Sequence, residues 1–200
     1  GKAQKIMVVA AEMMSKLVDW KDRSTCVLFG DGAGAVVLGP GNDLLSIKVT
    51  AKGGAELLRA PNVHGNSPFD ETEELPCVVY MNGQEVYKFA VSSMQRDVQE
   101  VVQQAGLTLE DVNYILPHQA NIRIIDAAAH KLKMPRERIL TNIDRHGNTS
   151  GAGIPALLDE CARAGTFHRG DILVMSSFGS GLTTGACVLR WSGAGKEQKE

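Results

Sequence analysis

The sequence lacks an excess of either charge, and it lacks any long apolar run. Its 200 residues include 21 Lys and Arg against 23 Asp and Glu, a net charge of −2. Such a balance argues against nucleic acid or a membrane as the main partner, and no apolar run reaches the length of a membrane span. The apolar stretch near the N-terminus is too short for a secretory signal. We therefore expect a cytoplasmic location, with neither a nucleic-acid nor a membrane partner.

The sequence also lacks the residue spacings that metals and disulfide frameworks require. Its four cysteines form no C-x-x-C pair, and a core-rich chain of this length needs no disulfide framework. Buried reduced thiols are expected: Cys26, Cys77 and Cys187 in strand-like runs and Cys161 in a helical pattern. The five histidines show no ligand spacing, so we expect no metal site. An initiator Met is absent and a predicted strand begins almost at once, which predicts a piece of a longer protein.

Apolar runs of strand length alternate with segments of helical periodicity. The predicted strands cover residues 5–11, 25–29, 33–38, 44–51, 114–116, 171–177 and 184–191, and the predicted helices cover 84–104, 121–133 and 154–163. A long irregular segment at 52–76 and a polar tail at 192–200 complete the chain. This alternation predicts an α/β fold with a largely parallel sheet.

Three segments carry polar groups where predicted strands or turns end. His118 follows the strand at 114–116, Asn148 lies in a glycine-flanked turn before a helix, and residues 176–181 close a strand on small residues. In open α/β sheets, ligands gather at the carboxyl ends of strands. An imidazole, a carboxamide and backbone N–H groups that converge there would stabilise negative charge on a carbonyl oxygen, and only a nucleophile would be lacking.

Plainer interpretations remain open beside this one. His118 can be a structural hydrogen-bonding residue, and Asn148 can be a turn residue in left-handed backbone or a glycosylation acceptor in Asn-Thr-Ser. Residues 30–34 are rich in glycine but fail the dinucleotide pattern, so a tight connection between two strands is expected there. A basic cluster is either a solvated face or a docking patch for an acidic partner. Its members are Arg123, His130, Lys131, Lys133, Arg136 and Arg138.

Five segments resemble signatures of β-ketoacyl-acyl-carrier-protein synthase III, the condensing enzyme that starts type II fatty-acid synthesis. They are residues 29–35, 81–88, 117–123, 144–150 and 178–181. The resemblance covers nearly the whole chain and implies a thiolase-like fold of layered αβαβα architecture. It implies the end of the N-terminal half with the connecting loop at 1–76, the complete C-terminal half at 77–191 and a polar tail at 192–200.

The resemblance also assigns roles to residues. The family's catalytic His and Asn fall on His118 and Asn148. Its oxyanion and substrate segment falls on Phe178, Gly179 and Ser180, where the Ser180 backbone N–H holds an oxyanion. Its acyl-carrier-protein contact falls on Gln119, Ala120, Asn121, Ile122 and Arg123, and its coenzyme A contacts fall on Arg23 and Gln84.

The implied reaction is a decarboxylative Claisen condensation. It joins an acyl-CoA primer, typically acetyl-CoA, to malonyl-acyl carrier protein and gives a 3-oxoacyl-acyl carrier protein. The resemblance implies no cofactor, because coenzyme A enters as the thioester of the substrate. It also implies acyl carrier protein as the partner and a homodimer for the full-length enzyme.

The nucleophilic Cys of that family has no counterpart in this sequence. Extrapolation from the matched segments places it roughly fifteen residues before Gly1, and none of the four cysteines has the helix N-terminus or neighbouring cation of a reactive thiolate. We therefore expect the chain alone to be inactive. Two other interpretations remain open: a related condensing enzyme or acyltransferase with another acceptor, and a non-catalytic truncated or split fragment.

Overall fold

The computed structural model describes residues 3–60 and 78–193. The strands in these ranges are β1 (Ile6–Met13), β2 (Asp31–Leu38), β3 (Leu44–Ala51), β4 (Leu58–Arg59), β5 (Tyr80–Met81), β6 (Tyr114–Pro117), β7 (Ile172–Gly179) and β8 (Thr183–Arg190). The α-helices are α1 (Gly83–Gln104), α2 (Ile122–Leu132), α3 (Ile143–His146) and α4 (Gly153–Arg163). Short 3₁₀ turns lie at Met14–Lys16, Leu109–Asp111, Arg136–Arg138 and Ser150–Ala152. Within the described ranges, no helix combines the length and the apolar character that a bilayer span requires.

The larger sheet is mixed, with the strand order β3-β8-β7-β6. Strands β3 and β7 both pair antiparallel with β8, and only the pair of β6 and β7 is parallel. Residues 180–182 alone join β7 to β8, and so short a connection returns the chain antiparallel. The prediction of a largely parallel sheet is therefore wrong for the part of the chain that the structure describes.

Strand β3 belongs to this larger sheet, although it lies within the predicted first division of the chain at 1–76. The register of β3 against β8 joins Ile47 to Cys187 and Thr50 to Thr184. The division of the chain at residue 76 stays a prediction. Residues 61–76, at the end of the predicted first division, lie outside the described ranges.

Helix α1 packs its apolar stripe against the larger sheet and against α2. Val98 of α1 shares one buried cluster with Ile115 of β6, Ile125 of α2 and Val174 of β7. The Asn82 side chain caps the helix by accepting a hydrogen bond from the backbone N–H of Glu85. This core holds the end of β6 and the start of α2 on rigid support, so the connection between them has a defined position.

Replacing Ile115 with Val should lower the free energy of unfolding by about 1 kcal/mol, because a buried methyl group is lost and a small cavity remains. Ile115 is fully buried, whereas Ile122 is 41% exposed. Ile122→Val is therefore a matched control, and we expect it to change the free energy of unfolding by less than about 0.5 kcal/mol. Urea denaturation of both variants measures the difference. Equal effects at the two positions would contradict the assignment of Ile115 to the core.

Strands β1 and β2 form an antiparallel pair whose apolar side chains are largely exposed. Met7, Val9 and Val37 are 64%, 59% and 64% exposed. The pair contacts the start of α4, where a Cβ at Gly34 would lie 2.9 Å from the Pro155 ring. The strand predicted at 5–11 is confirmed. Its apolar run is typical of a buried strand, but no other element of the described chain covers these side chains.

Residues 25–28 form turns in place of the predicted strand. The Asp22 carboxylate accepts hydrogen bonds from the backbone N–H of Ser24 and from the hydroxyl of Thr25. Such side-chain bonds offer the backbone an alternative to a strand ladder. Cys26 therefore lies in a turn. The glycine-rich residues 31–34 belong to β2 itself and do not form a tight connection between two strands.

Candidate active site

His118 lies in the connection between β6 and α2. Its backbone N–H donates to the carbonyl oxygen of Ser176 at 2.7 Å, which extends the parallel pairing of β6 and β7 by one residue. Helix α2 begins four residues later, and the Asn121 side chain caps it by accepting from the backbone N–H of Arg123 at 2.9 Å. The imidazole thus stands at the carboxyl end of β6, an edge strand of the larger sheet, and the position at a strand end agrees with the sequence prediction.

The surroundings of His118 keep its imidazole neutral. The ring packs edge-to-face against Phe178, with 5.3 Å between ring centroids. His118 is half-buried and borders two cavities, and its burial lowers the pKa of His118 from 6.5 to about 4. A neutral imidazole offers one N–H donor and one acceptor nitrogen near neutral pH.

Asn148 is buried, and backbone pairing fixes its position. Its N–H donates to the carbonyl oxygen of Leu28, and its carbonyl oxygen accepts from the N–H of Gly30, both at 2.9 Å. The side-chain Oδ1 accepts from the backbone N–H of Ser150 at 2.9 Å. Because the carbonyl side of the carboxamide is engaged, the Nδ2 group is left as a hydrogen-bond donor.

The alternatives for Asn148 are not supported by this geometry. A glycosylated Asn has to be exposed, whereas Asn148 is 8% exposed and Thr149 is 5% exposed. The left-handed backbone belongs to the neighbours Gly147 and Ser150, with φ of 68° and 51°. Asn148 therefore adopts no left-handed turn conformation itself.

One cavity of about 400 Å³ brings the predicted segments together. His118 and Asn148 both line it, with Phe178, Gly179 and Ser180. A second cavity of about 250 Å³ shares His118, Phe178 and Gly179 with the first. A neutral imidazole and a carboxamide donor that line one largely apolar cavity can both donate to a single carbonyl oxygen.

The Ser180 side chain connects the β7–β8 turn to β4. Its hydroxyl donates to the carbonyl oxygen of Leu58 at 2.6 Å, and its own carbonyl oxygen accepts from the Thr183 hydroxyl at 3.0 Å. These contacts hold the turn in place without using the Ser180 backbone N–H. The role of that N–H as an oxyanion donor stays a prediction.

The predicted carrier-protein segment divides between the cavity, the surface and the interior. Ala120 and Asn121 line the cavity, whereas Ile122 and Arg123 are exposed on the first turn of α2. Gln119 is fully buried. Its burial contradicts a direct contact between the Gln119 side chain and a partner protein, because no atom of that side chain reaches the surface.

The two predicted coenzyme A contacts lie beside the cavity and are exposed. Ser24 and Gly83 line the cavity, next in sequence to Arg23 and Gln84, which do not. In the basic cluster, Arg138 donates to the backbone carbonyl of Val112 and therefore has a structural contact. These contact roles stay predictions.

No thiol lines the cavity among the described residues. Cys26, Cys161 and Cys187 are free and partly buried, and burial raises the pKa of the Cys161 and Cys187 thiols. Cys77 lies outside the described ranges. The described part of the chain also has no group of three or more His, Cys, Asp or Glu side chains able to hold a metal ion.

Sequence reasoning missed Arg59, which lines the cavity beside Leu58. Its guanidinium lies 4.5 Å above the centroid of the Tyr80 ring, a cation–π contact between the two-residue strands β4 and β5. Both strands are too short to show a period in the sequence. With His118 neutral, Arg59 supplies the positive charge among the described residues that line this cavity.

Two family models match this chain. The model described as 3-oxoacyl-[acyl-carrier-protein (ACP)] synthase III matches residues 1–53, and the model of the synthase III C terminal matches residues 102–191. The β-ketoacyl-[acyl-carrier-protein] synthase III of Clostridium acetobutylicum is 44% identical over 196 residues, which cover 96% of this chain and 60% of that protein. The chain thus spans about 60% of the length of such relatives.

Solved structures agree with these matches. Synthase III from Aquifex aeolicus superposes with a TM-score of 0.86 at 44% identity, covering 95% of this chain and 59% of that one. The enzyme from Thermus thermophilus superposes with a TM-score of 0.88 at 47% identity, covering 96% and 61%. The fold is therefore the thiolase-like fold of these synthases. By both models and by these relatives, the chain belongs to the β-ketoacyl-[acyl-carrier-protein] synthase III family.

Proposed function

We propose that the whole protein joins an acyl-CoA primer, acetyl-CoA above all, to malonyl-acyl carrier protein in a decarboxylative Claisen condensation. The product is a 3-oxoacyl-acyl carrier protein, and the reaction initiates type II fatty-acid synthesis. The observation that carries the proposal is the pair of hydrogen-bond donors, His118 and Asn148, in the lining of one cavity. Family membership supplies the reaction to which such a pair is suited.

In the condensing half of the reaction, the malonyl thioester carbonyl accepts hydrogen bonds from His118 and Asn148. The bond between the α-carbon and the carboxylate breaks, carbon dioxide leaves, and the electron pair becomes an enolate that both donors stabilise. The low pKa of His118 means that the imidazole is neutral near neutral pH and donates through its one N–H. The α-carbon then attacks the acyl thioester, and a thiolate leaves as the new carbon–carbon bond forms.

In the first half of the reaction, a Cys thiolate takes the acyl group from coenzyme A. By resemblance, that Cys belongs to the part of the family's length that this chain does not span. The backbone N–H of Ser180 is proposed to hold the tetrahedral oxyanion, in the segment that also carries Phe178 and Gly179. No further cofactor takes part in this mechanism, because coenzyme A arrives as the substrate thioester.

Two partners follow from the proposal. Acyl carrier protein docks at the start of α2, where Arg123 offers an exposed cation beside the cavity residues Ala120 and Asn121. Coenzyme A meets Arg23 and Gln84 at the edge of the same cavity. The resemblance implies a homodimer for the whole protein, and we place its activity in the cytoplasm.

Residues 1–200 alone should form no stable acyl adduct with acetyl-CoA, because no described thiol lines the cavity. Incubation with radioactive acetyl-CoA, followed by denaturing electrophoresis, tests this expectation. Whole synthase III from Aquifex aeolicus is the positive control. A labelled band for this chain would refute the expectation, and peptide mapping would then identify the nucleophile. A non-catalytic, carrier-binding fragment would give no band but would still bind acyl carrier protein.

A priming condensing enzyme of polyketide synthesis is the second candidate. The priming β-ketosynthase of the R1128 polyketide pathway superposes with a TM-score of 0.82 at 33% identity. The synthases from Aquifex aeolicus and Thermus thermophilus are more similar, at 44% and 47% identity, which favours the fatty-acid reaction. A panel of acyl-CoA primers and of carrier proteins from both pathways would separate the two candidates by relative kcat/KM.

A further inference from the structure

A buried hydrogen-bonded connection runs from the His118 segment to Asn142, behind the cavity wall. Gln119 follows His118 directly and is fully buried. Its Nε2 donates to the carbonyl oxygen of Pro117 at 2.7 Å, and its Oε1 accepts from the backbone N–H of Asn142 at 3.0 Å. The Gln119 carboxamide therefore links both sides of His118 to a segment more than twenty residues later in the chain.

Glu160 of α4 continues this connection toward Asn148. Its Oε1 lies 3.2 Å from Nδ2 of Asn142 and 2.7 Å from Nε2 of His146, and its Oε2 accepts from Arg145 at 2.6 Å. These three partners lie just before Asn148 in sequence, whereas Glu160 lies on the helix just after it. The Glu160 carboxylate thus joins the segment before the Asn148 loop to the helix after it.

The Glu160 carboxylate is charged at neutral pH. Burial by itself would raise the pKa of Glu160, but hydrogen bonds from Asn142 and His146 and the charge of Arg145 outweigh it and lower that pKa. Charge-assisted hydrogen bonds of this kind are stronger than neutral ones. The Glu160 carboxylate therefore stays charged, and able to accept these hydrogen bonds, throughout the neutral pH range.

Close packing leaves these segments little room to move. A Cβ at Gly153, on the first residue of α4, would lie 3.4 Å from Cβ of Gln119. A Cβ at Gly30 would overlap the backbone carbonyl of His146. Gln119, Asn142 and Glu160 are not among the residues that line either cavity. They act on the cavity only through the segments that they hold.

We propose that Gln119 and Glu160 are positioning residues, which hold the His118 and Asn148 segments in one fixed relation through Asn142. Two donors stabilise one carbonyl oxygen only while both stay within hydrogen-bond distance of it, and a misplacement of about 1 Å can cost up to about a hundredfold in rate. The structural part of this proposal rests on the hydrogen bonds above. Its consequence for catalysis rests on the proposed function.

The structural part is tested in this chain by Glu160→Gln. The variant keeps the shape of the side chain but loses the charge and one of the two acceptor oxygens. Asp159→Asn is the matched control, because Asp159 is the neighbouring residue and, among the described residues, its carboxylate pairs with Arg163 alone, at 2.7 Å. Amide hydrogen exchange of Gly30 and Asn148, whose N–H groups take part in the pairing of the Asn148 loop, is the measurement.

We expect the Gly30 and Asn148 amides to exchange about tenfold faster in Glu160→Gln, because the loop opens locally. Exchange in Asp159→Asn should equal that of the wild type. The amide of Val174 in β7 should keep its protection in both variants, which shows that the core is folded. Unchanged exchange of Gly30 and Asn148 in Glu160→Gln would overturn the proposal.

The catalytic consequence is tested in the whole protein with Glu160→Gln and with Gln119→Met, which removes both Gln119 hydrogen bonds at similar volume. Both variants should lower kcat for decarboxylation of malonyl-acyl carrier protein by about tenfold. The KM for malonyl-acyl carrier protein should not change. The rate of acyl transfer from acetyl-CoA should not change either, since acyl transfer does not use both donors. An equal fall in acyl transfer would show general damage and overturn the positioning role. Absence of decarboxylation in the wild type would instead refute the proposed function, while the exchange result would stand by itself.

Discussion

Replacing Asn148 with Ala should slow decarboxylation of malonyl-acyl carrier protein by about 10²–10³-fold in the whole protein, since one donor to the developing enolate is removed. In the proposed reaction, acyl transfer from acetyl-CoA does not use this donor, so acyl-enzyme should form at nearly the wild-type rate. Release of labelled carbon dioxide and formation of labelled acyl-enzyme measure the two steps separately. Decarboxylation at the normal rate in this variant would refute the role of Asn148.

Two further variants make the test specific for the donor. Asn148→Asp keeps an oxygen that accepts from the Ser150 N–H but replaces the donor group with another oxygen, so it should lose decarboxylation at least as severely as Asn148→Ala. Asn113→Ala is the matched control, because Asn113 Oδ1 likewise accepts a backbone N–H, that of Ile172 at 2.8 Å, on the exposed surface. We expect this control to decarboxylate normally.

The stability of the chain should depend on pH through His118. Burial lowers its pKa from 6.5 to about 4, so between these values the unfolded chain binds a proton that the folded chain does not. The contribution of neutral His118 to the free energy of unfolding is therefore fully present above pH 6.5 and is lost as the pH falls toward 4. At 1.36 kcal/mol for each pKa unit, the loss from this residue amounts to roughly 3 kcal/mol.

Urea denaturation at pH 6.5 and at pH 4 measures this dependence. Carboxylates also contribute in this range, so the informative quantity is the difference between the wild type and His118→Gln, which should lose roughly 3 kcal/mol less than the wild type. His130→Gln, at an exposed position of α2, serves as the control for loss of a histidine. If the wild type and His118→Gln lose equal stability, the imidazole is protonated in the folded chain and the neutral-donor mechanism fails.

The three longer helices α1, α2 and α4 were predictable because their signals are local, whereas the four-residue helix α3 was not predicted. Periodic apolar residues and a capping Asn determine α1, and the sequence places it within one residue of its observed start. Helices α2 and α4 agree equally well. The strand predicted at 25–29 failed for an equally local reason that sequence periodicity does not show, namely the hydrogen bonds of Asp22 to the following residues.

The sheet could not be predicted at the same level. Strand β3 has the alternation of a half-exposed strand, and that pattern is the same whether its partner is β2 or β8. Pairing of β3 with β8 joins residues more than 130 positions apart, and alternation within one strand carries no information about its partner. The same limit applies to β1 and β2, because their apolar runs carry no information about what covers them.

The sequence by itself determined the chemistry of the candidate site, since His118 and Asn148 were recognisable from their own segments. Only the tertiary structure decided that they line one cavity, that burial keeps the imidazole neutral, and that Gln119 is an interior residue. The physical reason is that burial and hydrogen-bond partners depend on residues distant in sequence. Glu160 shows this most clearly, because an acidic residue on an amphipathic helix gives no sign that it holds the loop of Asn148.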